Sequence, residues 1–259
     1  MRNVFNDKKF AVYSDCQDSS VLGSKPIDLH KALRSKDLST SGDRIIATDT
    51  LTANVLGSNL DLPNWLPFAA KSYNISASIE DYLLIPFIIM PSDLPNRNCV
   101  AFPLRELVKW APECGRQAYQ TWKGMPTFLE HDNSDHTKAY GAIADVSLRK
   151  MEGFGQGKVW KVLSLYALDR TKHPDIAVQV LSGELNSSSM GAFVDRYSCS
   201  YCNAELGKCT HISTRRSHDF YELEGKLVFR NVHNPRGFEL SLVHTPAYLS
   251  AISDVHLKI

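Results

Sequence analysis

The chain has 259 residues, 43% of them hydrophobic, with 29 basic and 28 acidic side chains and a formal net charge of +1. That length suits one large domain, or one domain with a substantial extension, and the apolar fraction is ordinary for a soluble protein with a real core. A nearly neutral chain carries no general electrostatic footprint for nucleic acid or an anionic membrane surface, so neither is an expected partner. The opening MRNVFNDKKF lacks the apolar core of a signal peptide. The longest apolar run, 82–90, is interrupted by Pro86 and is far shorter than a membrane span needs. It reads as a buried strand or a bent pair of strands.

In chain order, residues 1–75 are rich in Ser, Asp, Asn and Lys with weak periodicity and are expected to be partly irregular. Within them, 44–55 suit a strand or a short helix, and 60–66 read as a loop. Residues 85–90 are β-rich. Residues 102–110 begin with Pro103 and carry Leu104, Leu107 and Val108 at helical spacing, which predicts a short helix, with 114–122 continuing a helical segment. Residues 126–130 read as extended and 131–137 as a polar turn. Strands are expected at 140–148, opened by Gly141, and at 159–168, joined by a Gly-rich turn at 153–157. A helix follows, with Asp169 as its cap and Pro174 and Asp175 in its first turn. Ile176, Ala177, Val180 and Leu181 form its apolar stripe, and Gly183 ends it. Further strands are expected at 187–197, 227–232 and 238–243. Many short strands with few helices give an α+β class with a β-rich core.

The most specific chemical signal is Cys199-x2-Cys202-x6-Cys209-x-His211. Three thiolates and one imidazole suit a closed, tetrahedral, structural zinc site with the Cys-x2-Cys pair as its knuckle. Cys16, Cys99 and Cys114 are scattered, and in a chain without an export signal reduced thiols and metal are favoured over a disulfide framework. The run Ser187-Ser188-Ser189-Met190-Gly191-Ala192 places a hydroxyl beside a glycine, where backbone can approach a substrate. On composition alone a polar turn is its commoner meaning. His131, in Phe128-Leu129-Glu130-His131-Asp132-Asn133, can accept a serine proton if the fold brings the two together. A surface histidine is the plain alternative, and His136 is a nearby competitor. Glu239 is a lone acid in the apolar stretch 237–247 and can orient an imidazole. Ser241 shares its side by alternation, which equally suits a charge on a solvent-facing strand.

Taken in order, these pieces resemble the prohead maturation proteases of large, myovirus-type tailed phages, a family related to the herpesvirus capsid protease, assemblin. The resemblance runs over 98–251. It starts at Val100-Ala101-Phe102-Pro103-Leu104-Arg105-Glu106-Leu107 and passes through Ala118-Tyr119-Gln120-Thr121-Trp122-Lys123-Gly124-Met125-Pro126 to Glu130-His131-Asp132-Asn133. It continues through Ala139-Tyr140-Gly141-Ala142-Ile143 and Asp169-Arg170-Thr171-Lys172-His173-Pro174. Ser182-Gly183-Glu184-Leu185 then leads to Ser188-Ser189-Met190-Gly191-Ala192, the Cys/His cluster and the 239–247 strand. Each fragment alone is unspecific; their order and spacing together are more specific.

The resemblance implies a small, mostly antiparallel β-barrel flanked by helices, herpesvirus-protease-like, with the Cys/His zinc knuckle as an insert at 199–211. It divides the chain into a protease domain at 96–259 and a region at 1–95 that matches the family poorly: an extension, a propeptide or a divergent part of the barrel. It implies a serine endopeptidase with Ser189 as nucleophile, His131 as base and Glu239 as third member, with His244 as the alternative third member and a structural zinc on Cys199, Cys202, Cys209 and His211. Amides near Met190 and Gly191, or Arg230 or Arg236, would hold the oxyanion. Substrates would be scaffold or core proteins, the major capsid protein and other prohead proteins, cut after acidic residues. Self-cleavage sites such as Glu80 or Glu106 are implied, with a homo-oligomer left open. The location implied is the phage prohead in the host bacterial cytoplasm. Three other readings stand beside this one: a catalytically inactive, zinc-stapled capsid-assembly factor; a zinc hydrolase on His131 and His136, which lacks a third ligand and His-Glu-x-x-His spacing; and a nucleic-acid-binding zinc module resting on Arg215 and Arg216.

Overall fold

A computed structural model of the chain describes residues 10–13, 66–151, 159–213, 221–248 and 251. The expectations for 44–55, 60–65 and 153–157, and for Cys16, Arg215 and Arg216, lie outside the described residues. Strand β1 is Phe10–Tyr13, and helix α1, Leu66–Tyr73, starts where a loop was expected to end. Then come β2 (Tyr82–Pro91), β3 (Val100–Ala101), α2 (Leu104–Leu107), β4 (Trp110–Ala111) and β5 (Arg116–Gln117). A 3-10 turn at Ala118–Trp122 leads to β6 (Pro126–Leu129), β7 (Gly141–Lys150) and β8 (Trp160–Asp169). Helix α3 (Pro174–Ser182) precedes β9 (Ser187–Val194) and β10 (Arg196–Cys199). The short α4 (Thr210–Ser213) is followed by β11 (Tyr221–Leu223), β12 (Lys226–Val228), β13 (Arg230–His233) and β14 (Arg236–Val243).

Seven strands form the main sheet in the order β1-β9-β14-β6-β7-β8-β2, antiparallel throughout except where β14 meets β6. The sheet curls into a half-barrel: the Ser188 hydroxyl on β9, near one edge, donates to the Ile88 carbonyl on β2, the opposite edge, at 3.3 Å. The class is therefore α+β, with a mostly antiparallel, curled sheet and few helices. Pro86 does not split its segment. It sits inside a single ten-residue strand at a sheet edge, where its missing N–H removes no inner ladder bond. One apolar cluster runs from Tyr73 on α1 through Phe87, Ile143, Tyr166 and Met190 to Leu240. Residues 66–91 thus share the core of the rest, each fully buried large side chain contributing about 1.5–3 kcal/mol.

Several local expectations change. Residues 114–122 are not a continued helix: the Ala111 carbonyl accepts from the amides of Cys114 and Gly115, turning β4 into β5 before the 3-10 turn begins. The helix expected at 102–110 is a single turn capped by Pro103, with Trp110 already in a strand. Asp169 does not cap α3, whose cap position is His173; its carboxylate instead accepts from Ser76, Thr171 and Lys172 amides. Gly183 does end α3, at φ 80°, but Leu181 lies on the exposed side, and Ala177 and Val180 carry the burial. The strand expected at 187–197 is two strands in different sheets, broken at Asp195, and 227–232 divides likewise into β12 and β13. Strands β10, β13 and β3 form a second sheet, and β11 with β12 a hairpin beside the Cys/His cluster.

Candidate active site and metal centre

Strand β14 lies between β9 and β6, so it meets both the serine strand and the strand that leads to His131. On the antiparallel side Ser241 faces Ser189 and Glu239 faces Gly191; residues opposite each other, and those two apart, share a face of the sheet. Ser189, Gly191, Glu239 and Ser241 therefore line one face. On the parallel side Leu242 pairs with Leu129, and the Glu130 amide donates to the Leu242 carbonyl at 2.9 Å. The chain then turns through two consecutive left-handed residues, Glu130 at φ 49° and His131 at φ 57°. For residues with a Cβ this conformation costs about 1–3 kcal/mol each, and it persists where surrounding structure enforces it.

The result is a continuous hydrogen-bonded relay. His131 Nε2 is 2.9 Å from Ser189 Oγ, and His131 Nδ1 is 2.7 Å from Glu239 Oε1. A carboxylate only accepts, so Nδ1 carries the proton and Nε2 accepts from the serine hydroxyl. The second carboxylate oxygen accepts from the Ser241 hydroxyl at 2.6 Å. Both oxygens of Glu239 are thus held, although the residue is fully buried. Ser189 is also fully buried and His131 is 7% exposed, so the relay is assembled but closed.

Three residues have roles that the sequence reading did not single out. Ser241, which alternation placed on the same side as Glu239 with solvent exposure left open, is buried and fixes the carboxylate. Gly191 makes room for it: a Cβ there would sit 2.6 Å from Glu239 Oε1 and 2.5 Å from the Phe238 ring. Gly237 makes room for a neighbour, since a Cβ there would fall 2.2 Å from the Trp122 indole. Its amide donates to Thr121 Oγ1 at 2.7 Å.

The other candidates lie elsewhere. His244 is half-exposed and pairs with Glu130 at 2.7 Å, so it does not occupy the third position beside His131. Arg236 faces Phe193, four residues along β9 from Ser189, and is engaged by Glu113 and Asp195. Arg230 lies in the second sheet opposite Cys199. Glu106 is buried against His233, whereas Glu80 is exposed. His136 lies in a separate 3-10 turn, and among the described residues no metal-ligand cluster contains it or His131.

Cys199, Cys202, Cys209 and His211 do converge, with their donor atoms all within 4.8 Å of one another. His211 Nδ1 is 3.3 Å from Cys202 Sγ and 3.8 Å from Cys199 Sγ. Tetrahedral coordination puts neighbouring donors roughly 3.5–3.8 Å apart, so the set fits a metal ion. The local backbone prepares for thiolates. Burial pushes the Cys199 thiol up, while the amides of Cys202 and Tyr201 oppose this. The Ala204 amide, then the His211 ring, lower the Cys202 thiol to about 7. All four positions are filled by protein, which makes the centre closed. The Tyr221 hydroxyl donates to the His211 carbonyl at 2.8 Å and ties the ligand loop to β11.

A second chain of the same residue types lies in the smaller sheet. His233 Nε2 is 2.8 Å from Ser198 Oγ, and His233 Nδ1 is 3.0 Å from Glu106 Oε1. Nothing in the sequence marked it as a relay, because its members span 127 positions and carry no shared motif. Comparison of the chain with protein-family models, with curated proteins and with solved structures finds no match.

Proposed function

We propose that the chain is a serine endopeptidase in which Ser189 attacks a peptide carbonyl. The observation that carries this reading is His131 bridging Ser189 and Glu239 through its two ring nitrogens, at 2.9 and 2.7 Å. His131 takes the serine proton as the Oγ–C bond forms and returns it to the leaving amine as the C–N bond breaks. Glu239 holds the ring in the required tautomer and stabilises its charged form. Water then hydrolyses the acyl-enzyme by the same proton path in reverse. Because the relay is buried, a substrate reaches it only after covering segments move, in the manner of gated active sites.

The family-level reading is a prohead maturation protease that cuts scaffold and capsid proteins, with a herpesvirus-protease-like fold. The ordered motifs named above support it, and the curled antiparallel sheet is compatible with it. In the same reading the Cys3His centre holds a structural zinc, which staples the insert and takes no part in bond cleavage.

The test is cleavage of a diverse peptide library, with cut sites read by mass spectrometry. The chain is expected to cut, preferentially after acidic residues, and Ser189→Ala is expected not to. Equal cleavage by both would remove Ser189 as the nucleophile. A complete lack of cleavage by the unaltered chain would favour the inactive assembly factor.

A further inference from the structure

Strand β14 meets β9 through a bulge. Arg236 and Gly237 face Phe193 and Ala192, but Glu239, not Phe238, faces Gly191. The extra residue, Phe238, decides which way Glu239 points. Without the bulge Phe238 would face Gly191 and Glu239 would face Met190, on the side of the sheet away from Ser189. A one-residue slip reverses every side chain of a strand, and a bulge is a defined way of setting register. The position of the carboxylate beside His131 therefore depends on what pins the start of β14.

That start is where both strands leave the main sheet. β9 passes through Asp195 into β10, and β13 passes through Asn234 and Pro235 into β14. The two crossings are tied together. The Asp195 amide donates to the His233 carbonyl at 3.0 Å, Asn234 Nδ2 donates to Asp195 Oδ2 at 2.8 Å, and Arg236 binds Asp195 and Glu113. The second Ser–His–Glu chain anchors this junction from beneath. Glu106 Oε2 accepts from the Asn234 amide at 3.1 Å while Oε1 accepts from His233, whose other nitrogen accepts from Ser198 on β10. Burial holds the His233 pKa below its usual range, which keeps the ring neutral and able to donate from one nitrogen and accept at the other.

We propose that Glu106, His233 and Ser198 are positioning residues that fix the bulged register of β14 on β9, and so hold Glu239 on the face that carries Ser189 and His131. The proposal rests on the Ser189 reading for its consequence in catalysis, but its structural content can be observed separately. The α2 turn, β10 and β13 converge on one buried hydrogen-bonded unit, which clamps the two strands whose register carries Ser189 and Glu239. Glutamine is the mildest change at Glu106: its oxygen can keep the Asn234 amide, but its NH2 group can meet His233 Nδ1 only if the ring changes tautomer and donates from Nε2 to Ser198.

The test uses the full chain with Glu106→Ala, Glu106→Gln, His233→Gln and Ser198→Ala. Two readouts are taken at a temperature where thermal unfolding shows each variant folded. The first is the low-field proton resonance of His131 Nδ1–H on the Glu239 carboxylate, which reports register without requiring activity. The second is the rate of Ser189 acylation by a fluorophosphonate. Glu106→Ala and His233→Gln are expected to lose the low-field resonance and to slow acylation at least tenfold. Glu106→Gln and Ser198→Ala, the variants least able to unfold the chain, are expected to slow acylation about threefold and tenfold at most. A merely structural role would lower the unfolding midpoint and leave both readouts intact in the folded variants; that result overturns the proposal. If the resonance disappears in the variants but the unaltered chain is not acylated at Ser189, the register claim stands and the protease reading falls.

Discussion

Two Ser–His–Glu chains lie in this molecule with nearly the same dimensions: 2.9 and 2.7 Å in one, 2.8 and 3.0 Å in the other. Both serines are fully buried and both histidines nearly so. Bond lengths alone therefore do not assign the proposed reactive role to one relay over the other; the two differ in what their far ends are tied to. In the first, the histidine stands on a turn of two left-handed residues, and the carboxylate's spare oxygen meets another side chain, Ser241. In the second, the histidine ends a regular strand paired with the serine's own strand, and the spare oxygen meets a backbone amide at a strand crossing. Left-handed backbone adjoins both histidines, since Asn234 beside His233 has φ 50°; what differs is that the second carboxylate is tied into a backbone amide at a strand crossing, the arrangement of a fold anchor.

The sharpest way to break this contrast is to remove each serine in turn. Ser189→Ala is expected to lower peptide cleavage by roughly 10³–10⁴-fold or more, as for loss of any triad member. Ser198→Ala is expected to retain at least a tenth of the activity. Comparable losses from both, in folded protein, would erase the distinction. Next in size is Gly191→Ala. Its Cβ would collide with Glu239 Oε1 and the Phe238 ring, and a displacement of about 1 Å at a relay can cost ~10²-fold in rate. Measured kcat should fall with KM little changed; an unaltered kcat would mean the carboxylate is not held where it appears.

Chelation, or Cys202→Ser, addresses a third region. The closed Cys3His centre predicts a fall of at least about 5 °C in the thermal midpoint, with cleavage below that midpoint largely kept. Loss of activity without loss of stability would instead assign the metal a chemical role. The smallest effect is expected for His244→Ala. Its ring is half-exposed and tied to Glu130, so cleavage should stay within about twofold of the unaltered chain. A loss as large as that from Glu239→Gln would return His244 to the third position.

Much of this was legible in the residues, for reasons that differ by element. Strands β7 and β8 and helix α3 carry their own signals: an opening Gly141, apolar runs of strand length, and Pro174 and Gly183 at the helix ends. The Cys/His spacing marked its own convergence, because ligands close in sequence need little help from the fold to meet. The individual residues Ser189, His131 and Glu239 were also readable, but only through the order of motifs around them. That they meet was implied only by the resemblance; no local signal shows it, since it depends on β14 lying between two strands more than 50 residues apart in sequence. The break at Asp195 was invisible because continuing a strand and changing sheets look alike locally, and tertiary pairing with Asn234 and Arg236 decides between them. The second relay had no local signal of any kind. The face of Ser241 stayed open in the sequence because alternation says which residues share a face, not whether that face meets water.

The most direct measurement is to treat the full chain with a fluorophosphonate and map the modified residue by mass spectrometry. The account predicts one adduct, on Ser189, abolished by His131→Ala and retained in Ser198→Ala. An adduct on Ser198 in place of Ser189, or labelling of Ser189 that is indifferent to the loss of His131, would contradict it.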